Sequence, residues 1–206
     1  MTRRRSLKLL PSMKQLLTTL TFLLITVGLR GQDNCFEKCF DNYKKSTLPF
    51  PANSDSVLKG LIGCKAPNFT VKTIQGETFR LSELKGKVVV INFWFITCAP
   101  CVAEMPALNK LKEDYKAKDV VFIAFGRDDT QSINDFLRSR DFNYNLVSSD
   151  YDLTKDYCLF GGWPTNMVLD KNGILRQIFT GGRTDEKAKT EAYNKIRPTI
   201  EKYLSL

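Results

Sequence analysis

The sequence predicts an α/β domain with a central mixed β-sheet flanked by helices. Two runs of apolar, β-branched and aromatic residues, at 88–95 and 120–125, are typical of strands buried on both faces. Each run is followed by a segment whose apolar residues recur at helical spacing. The predicted strands at 165–169 and 174–179 are joined by Asp-Lys-Asn-Gly at 170–173, which favours a tight antiparallel turn.

The remaining elements follow in chain order. An alternating pattern predicts an N-terminal hairpin from residues 69–74 and 78–81. The first long helix is expected at 102–116, and a helix–strand unit, inserted between the second buried strand and the final hairpin, at 130–149. In that unit Thr130 is the predicted helix cap, residues 144–147 form the strand, and a short helix follows at 153–159. The last helix is expected at 184–204, kinked or interrupted at Pro198.

The formal net charge of +9 is concentrated in the first segment of the chain. Residues 1–31 contain six basic residues and no acidic ones, which leaves 25 basic and 22 acidic residues in 32–206. The domain itself is therefore only weakly basic, and nucleic acid is not among the expected partners.

Residues 1–31 are predicted to be a signal peptide or membrane anchor. Basic residues up to Lys14 precede a Leu- and Thr-rich apolar stretch at 16–29, which is short for a spanning helix. Residues 32–60 are expected to form an N-terminal extension and linker, and residues 61–206 the folded domain. The predicted location is the periplasm or cell envelope, either soluble or tethered to the membrane.

Cysteine chemistry dominates the candidate functions, because the chain has six cysteines and no histidine. The absence of histidine excludes Cys/His zinc sites, Ser-His-Asp triads and Cys-His nucleophiles. An exported chain enters an oxidising compartment in which disulfides persist. We expect no metal and no cofactor.

Cys98 and Cys101 form a CxxC motif between a predicted buried strand and a predicted helix. Free N–H groups and the helix dipole at that helix start favour a thiolate, and Pro100 suits the first turn. Cys101 lies nearly one turn beyond Cys98 and can resolve a mixed disulfide. CxxC alone also fits a structural disulfide or half a zinc site, but its position between strand and helix favours a redox pair.

The sequence at 90–106, with Gly-Trp-Pro-Thr at 162–165 and Ala-Pro-Asn-Phe at 66–69, resembles the thioredoxin superfamily. Within it the chain is similar to exported thioredoxin-like proteins typified by ResA and TlpA, over about residues 61–203. The resemblance implies a thioredoxin-like fold for residues 61–206 and a thiol–disulfide oxidoreductase activity.

The resemblance also implies roles for particular residues. Pro164 takes the place of a cis-proline that faces the cysteine pair, where the backbone of Trp163 pairs with an extended substrate segment. Glu104 takes the place of a half-buried carboxylate that passes protons during thiol exchange. Asn92 stands where thioredoxin has a buried Asp.

Four residues around the motif are expected to bind substrate, namely Trp94, Thr97, Pro100 and Trp163. Thr97 replaces the Trp that the family often has before the first Cys, and Trp163 is a bulky residue before the proline. We therefore expect these two positions to influence which partner is recognised.

The other four cysteines allow three pairings that the sequence does not distinguish. Cys35 and Cys39 lie at i and i+4, a marginal separation for a bond, and each can pair with Cys64 or Cys158. We favour structural disulfides or buried thiols, with Cys158 as a core residue of the short helix.

The expected function is a periplasmic reductant of protein disulfides. The expected partners are thiols and disulfides of exported proteins and an upstream membrane electron donor or acceptor. Oxidase and isomerase directions share this architecture, and the resemblance favours a reductant, for example for apocytochrome c. One alternative is a peroxiredoxin-like thiol peroxidase, although Phe95 occupies the place where that class needs Thr. The other is a redox-inert envelope binding module.

Overall fold

The computed structural model describes residues 35–45, 52–149, 156–159 and 162–206. Its helices are α1 Cys35–Lys45, α2 Ala52–Lys59, α3 Ala99–Asp114, α4 Thr130–Leu137 and α5 Ala188–Leu204. Its strands are β1 Thr70–Lys72, β2 Thr78–Arg80, β3 Val88–Trp94, β4 Val120–Gly126, β5 Asn145–Ser148, β6 Thr165–Leu169 and β7 Leu175–Thr180. A 3-10 turn, Leu81–Glu83, follows β2.

The central sheet is mixed, as the sequence predicts. Its five strands are ordered β5-β4-β3-β6-β7, with β3, β4 and β5 parallel and β6 and β7 antiparallel to their neighbours. All seven residues of β3 are buried, because helices cover both faces of this central strand. The predicted hairpin β1–β2 forms a separate two-stranded sheet.

The two faces of the sheet support two apolar clusters. Alternate residues of β3 point to opposite faces, so Val88, Val90 and Trp94 pack with α3, α4 and α5. Val89, Ile91 and Phe93 pack with α1, α2 and the turn at 156–159. The N-terminal helices therefore contribute to the core, with Cys39 1% and Leu58 3% exposed.

Two disulfides link α1 to later segments on this second face. They are Cys35–Cys64 and Cys39–Cys158, with Cα separations of 6.0 and 6.1 Å. The preference for structural disulfides is confirmed for these four cysteines. The expectation that Cys158 is a core residue of a short helix is wrong in its local structure, because Cys158 lies in a turn with φ 61°. Most of that helix, predicted at 153–159, lies outside the described residues.

The predictions for three helices are corrected by the structure, and the first of these helices is α3, which spans Ala99–Asp114 rather than 102–116. The cap of α4 is Asp129, not Thr130, because its carboxylate accepts the Ser132 N–H at 2.9 Å. The last helix begins at Ala188 rather than 184. It continues through Pro198 without interruption, since the buried face that includes Ile196 and Ile200 holds the helix against the core.

Candidate redox site

The cysteine pair lies where the buried strand β3 meets helix α3. Cys98 is the N-cap residue of α3, with Ala99 and Pro100 in the first turn, as the sequence predicts. Cys98 and Cys101 form a disulfide with a Cα separation of 5.2 Å. The Cys101 N–H donates to Cys98 Sγ at 3.3 Å, so an N–H group at the helix start is directed at this sulfur.

Both sulfur-bearing residues are largely covered. Cys98 is 5% and Cys101 2% exposed, whereas the neighbouring Thr97 and Ala99 are exposed. The surface through which a partner reaches Cys98 is therefore formed by the residues around it. Of these, Thr97 and Pro100 belong to the predicted set.

The Trp163–Pro164 peptide bond is cis, as the resemblance implies. Gly182 connects this bond with the cysteine turn: a Cβ built on Gly182 would lie 3.3 Å from Pro100 Cβ and 3.3 Å from Pro164 Cγ. Both prolines therefore pack against the same backbone segment, where a side chain at position 182 would be in tight contact with them. The Gly181 N–H donates to the Pro164 carbonyl at 2.8 Å and fixes that segment.

Glu104 lies at the centre of a buried polar network behind the disulfide. It follows Cys101 by three residues on α3 and is 4% exposed, which is more deeply buried than the half-buried position expected. Its Oε1 accepts hydrogen bonds from Asn92 Nδ2 at 3.0 Å and from Asn166 Nδ2 at 3.1 Å. Asn92 Nδ2 also lies 3.0 Å from Asn166 Oδ1, which accepts from it.

The burial of Glu104 raises the pKa of its carboxyl to about 7. Loss of hydration is the largest cause, and the hydrogen bonds from Asn166 and Asn92 oppose it because they stabilise the charged form. A carboxyl with this pKa changes protonation state near neutral pH and can both accept and release a proton there.

Asn166 was missed in the sequence analysis. It lies on β6 directly opposite Asn92 in the antiparallel register and is fully buried. The signal was present: a polar residue inside the short apolar run at 165–169, two residues after Pro164. Its meaning depends on the strand register, which brings the two asparagines together beneath Glu104.

An aromatic and cationic surface lies beside the cysteine turn. Trp163 is partly exposed and meets Phe95 edge to face, with ring centroids 5.7 Å apart. The exposed Arg127 guanidinium lies 5.7 Å from the Trp163 ring and 6.0 Å from the Phe95 ring. Neither Phe95 nor Arg127 was predicted as a substrate-contacting residue. Arg127 follows β4 directly, at the same sheet edge as the cysteine pair.

The expectation that Trp94 binds substrate is wrong for this structure. Its side chain is fully buried and packs edge to face on Phe142, with centroids 5.4 Å apart, and tilted against Phe136 at 5.6 Å. Because Trp94 is the last residue of β3, its side chain turns into the core on the α3 face. It supports the strand end from within.

Comparisons with known proteins agree with the predicted resemblance. The AhpC/TSA family matches residues 62–178, a range that includes both cysteines and Pro164. The thiol–disulfide oxidoreductase ResA of Bacillus thuringiensis subsp. konkukian is 35% identical over 139 residues, 66% of this chain and 79% of that protein. The thioredoxin-like protein YneN of Bacillus subtilis is 33% identical over 128 residues, 61% of this chain and 75% of that protein.

Among solved structures, one similar to this chain is a candidate thiol:disulfide interchange protein DsbE from Chlorobium tepidum. It has a TM-score of 0.59 and 28% sequence identity, and the match covers 68% of this chain and 96% of that chain. The thioredoxin-like fold is confirmed.

Proposed function

We propose that this chain, which belongs to the AhpC/TSA family and is a thiol–disulfide oxidoreductase, acts as a reductant of disulfides in exported proteins. The Cys98–Cys101 dithiol is the proposed electron source. The observation that carries this assignment is the Cys101 N–H directed at Cys98 Sγ at the start of α3. In the reduced state, that N–H and the helix dipole stabilise a Cys98 thiolate, the form that attacks disulfides.

The reaction proceeds by two thiol–disulfide exchanges. The Cys98 thiolate attacks one sulfur of the partner's disulfide, which breaks the S–S bond and releases the other partner sulfur as a thiolate. Cys101, once deprotonated, then attacks Cys98 Sγ, forms the Cys98–Cys101 disulfide and releases the second partner thiolate. Two electrons pass to the partner, whose two sulfurs take up protons, and an upstream dithiol donor restores the enzyme.

Glu104 is proposed to accept the proton of the Cys101 thiol in the second exchange. It lies one turn beyond Cys101 on α3, and its pKa of about 7 lets it accept a proton near neutral pH. Asn92 and Asn166 fix the orientation of its carboxylate through their amide groups. They are positioning residues in this scheme.

Partner docking is proposed on the surface around the cysteine turn. The backbone at Trp163–Pro164 pairs with an extended segment of the partner by strand addition, and Thr97 and Pro100 line the entrance. Phe95 and Arg127 extend this surface with one aromatic ring and one exposed positive charge. The bulk of Trp163 then narrows or reshapes this docking surface.

The setting proposed is the periplasm or cell envelope, with residues 1–31 as the exporting signal or tether. The two structural disulfides support it, because such bonds persist outside the reducing cytosol. Within the described residues no helix is both long and apolar enough to cross a bilayer. The resemblance of residues 90–106 and 162–165 to ResA-like proteins favours the reductive direction, and apocytochrome c disulfides are the first substrate class to test.

Insulin reduction with a dithiol regenerant tests this function. We expect wild-type protein to reduce insulin and Cys98→Ser to fall to the uncatalysed rate, because the attacking sulfur is absent. Cys101→Ser should retain the first exchange and accumulate a mixed disulfide with its partner, visible by non-reducing electrophoresis and mass spectrometry.

Two outcomes contradict the proposal. If Cys98→Ser reduces insulin as fast as wild type, the cysteine pair is not the electron source. If reduced wild-type protein consumes hydrogen peroxide rapidly but leaves insulin intact, the chain is a thiol peroxidase. The side chain of Phe95, where a peroxidase needs a Thr hydroxyl, argues against that outcome.

A further inference from the structure

A narrow cleft leads from Glu104 towards the surface on the side of α5. Its polar wall is formed by Glu104, Arg183, Glu191 and Lys195. Its volume is about 10 Å³, which is the space of a single water molecule. We call it the Glu104 cleft. The small residues keep it open, since Gly181, Gly182, Ala188 and Ala192 bring only backbone and methyl groups to its wall.

The outer part of the cleft holds an ion pair. Lys195 Nζ lies 2.6 Å from Glu191 Oε1, an i, i+4 pair on α5, and the two side chains are 46% and 33% exposed. The second carboxylate oxygen, Glu191 Oε2, is buried and accepts no hydrogen bond from the described residues. Arg183 Nε lies 3.8 Å from this oxygen. A polar atom buried at the wall of a water-sized cleft is a natural partner for a water.

At its inner end the cleft meets the carboxylate that the reaction uses. Asn92 and Asn166 donate to Glu104 Oε1 at 3.0 and 3.1 Å, whereas Oε2 has only the longer contact of 3.4 Å with Asn166 Nδ2. Glu104 Oε2 therefore has capacity for another hydrogen bond. Glu104 and the two residues of the ion pair line the same cleft, whose volume admits about one water molecule.

We propose that the Glu104 cleft is the path by which Glu104 exchanges its proton with solvent, through one water held by the Glu191–Lys195 pair. This inference rests on the proposed function, in which Glu104 takes a proton from Cys101. The partner-docking surface covers Cys98 during the mixed disulfide, so a second opening on the α5 side lets the proton leave while the partner is bound. Lys195 and Glu191 are positioning residues for that transfer.

The charges around Glu104 agree with this arrangement. From α5, the positive charge of Lys195 lowers the pKa of Glu104 and the negative charge of Glu191 raises it. Arg183 faces the cleft from the segment after β7. On the far side, the buried Tyr144 hydroxyl has its pKa raised by burial and by the charge of Glu104. From β3 and β6 only the neutral amides of Asn92 and Asn166 face the carboxylate.

Ala192→Val tests the path without changing any charge, because the added methyl groups fill the cleft. We expect the first exchange, measured by single-turnover insulin reduction, to keep its wild-type rate. The steady-state turnover of insulin should fall roughly three- to tenfold. Ala107→Val is the matched control: Ala107 is 1% exposed in the same apolar cluster but does not line the cleft. Equal turnover in wild type and Ala192→Val, with the variant folded, overturns the inference.

Lys195→Met gives a second test that needs no catalysis. Carbon-13 NMR of the Glu104 carboxyl in the oxidised protein, assigned with Glu104→Gln, should give a pKa higher by roughly 0.5 to 1 pH unit. This change is smaller than the change of about 1 to 3 pH units that an opposite charge in direct contact causes in the pKa of a carboxyl. Lys195→Arg should restore the wild-type value, and Lys202→Met, remote from the cleft on the same helix, should leave it unchanged.

An unchanged pKa in Lys195→Met would show that the ion pair does not reach Glu104 and would overturn the inference. This readout is independent of the proposed function. If the protein reduces no disulfide at all, the proposed function fails while the Glu104 titration still reports on the cleft. If insulin is reduced normally but neither variant differs from wild type, only the cleft inference fails.

Discussion

The three disulfides of this chain divide into two regions that are both largely buried, with Cys35 partly exposed, and that are built differently. Cys98 and Cys101 are 5% and 2% exposed on one side of the sheet, and Cys39, Cys64 and Cys158 are 1%, 5% and 2% exposed on the other. Exposure therefore does not separate the proposed reactive disulfide from the structural ones. Sequence separation does: it is 3 residues for Cys98–Cys101 and 29 and 119 for the other two.

The surroundings of the two regions also differ, since one is polar and the other is apolar. Cys98 caps helix α3, and its Sγ accepts a hydrogen bond from the Cys101 N–H. The buried carboxyl of Glu104 lies one turn beyond Cys101. The other two disulfides lie in an apolar cluster that joins the N-terminal helices to the sheet. Closing long loops, they restrict the unfolded chain strongly, whereas a three-residue loop restricts it little. The comparison teaches that one fold places the same bond in two settings that differ in local polarity and loop length, which suits the first to the proposed electron transfer and the others to stability.

Stepwise reduction of the three disulfides is the most direct test of this division into two regions. We expect low concentrations of dithiothreitol to open Cys98–Cys101 first, so that alkylation and peptide mass spectrometry find label at these two residues alone. Redox-active disulfides of this fold have potentials at least about 30 mV above structural ones, a tenfold difference in equilibrium constant. Early label at Cys39 or Cys158 would contradict the division.

Removing the longest loop closure should have the largest effect on stability. In Cys39→Ala/Cys158→Ala the free energy of unfolding should fall by about 4 to 5 kcal/mol, since this bond closes the 119-residue separation. Urea unfolding of the oxidised protein measures the loss. Insulin reduction by the folded fraction should persist, and its disappearance in a folded variant would assign the bond a part in the redox site.

The shorter loop should matter less. Cys35→Ala/Cys64→Ala should lower the free energy of unfolding by about 3 to 4 kcal/mol, because the separation is 29 residues. Measured beside the previous variant in the same urea series, it should be the more stable of the two. The reverse order would mean that packing of the N-terminal helices, rather than loop closure, sets the contribution of these bonds.

The redox region should carry a pH dependence that the other region lacks. The pKa of Glu104 is about 7 in the folded protein against 4.5 in the unfolded chain, so the folded state binds more protons between these values. Stability from this group is therefore present below pH 4.5 and lost as the pH rises to 7. The loss is on the order of 3 kcal/mol.

Glu104→Gln should abolish that component, because an amide stays neutral at both ends of the range. Urea unfolding at pH 5 and pH 8 should give a smaller difference in the variant than in wild-type protein. If the two proteins change in parallel, Glu104 is not the titrating group.

Much of the fold was predictable from local patterns. The unbroken apolar runs at 88–95 and 120–125 predicted two central strands, and the turn at 170–173 predicted the final hairpin. The expected interruption at Pro198 is wrong, because the local preference of proline to break a helix is outweighed by the buried face of α5, which includes Ile196 and Ile200. Thr130 was misread because Asp129, one residue earlier, is an equally good cap.

The candidate site was predictable only where its residues are close in sequence. Cys98, Pro100, Cys101 and Glu104 share one strand–helix junction, so spacing alone places them on the first turns of α3. Asn166 lies opposite Asn92 through strand pairing across 74 residues, and no local pattern contains that register. Trp94 was assigned to the surface because a pattern of aromatic residues does not say which face of a strand each occupies.

The sequence by itself determined the bonded cysteine pair at the start of α3, because the pair and the helix depend on contacts between neighbours along the chain. Tertiary structure decided which of the other four cysteines pair, since bond formation requires a Cα separation near 6 Å that chain distance does not report. Tertiary structure also decided the pKa of the Glu104 carboxyl. Only packing removes water from a carboxyl and sets asparagines from two other strands beside it, and these together fix its pKa near 7.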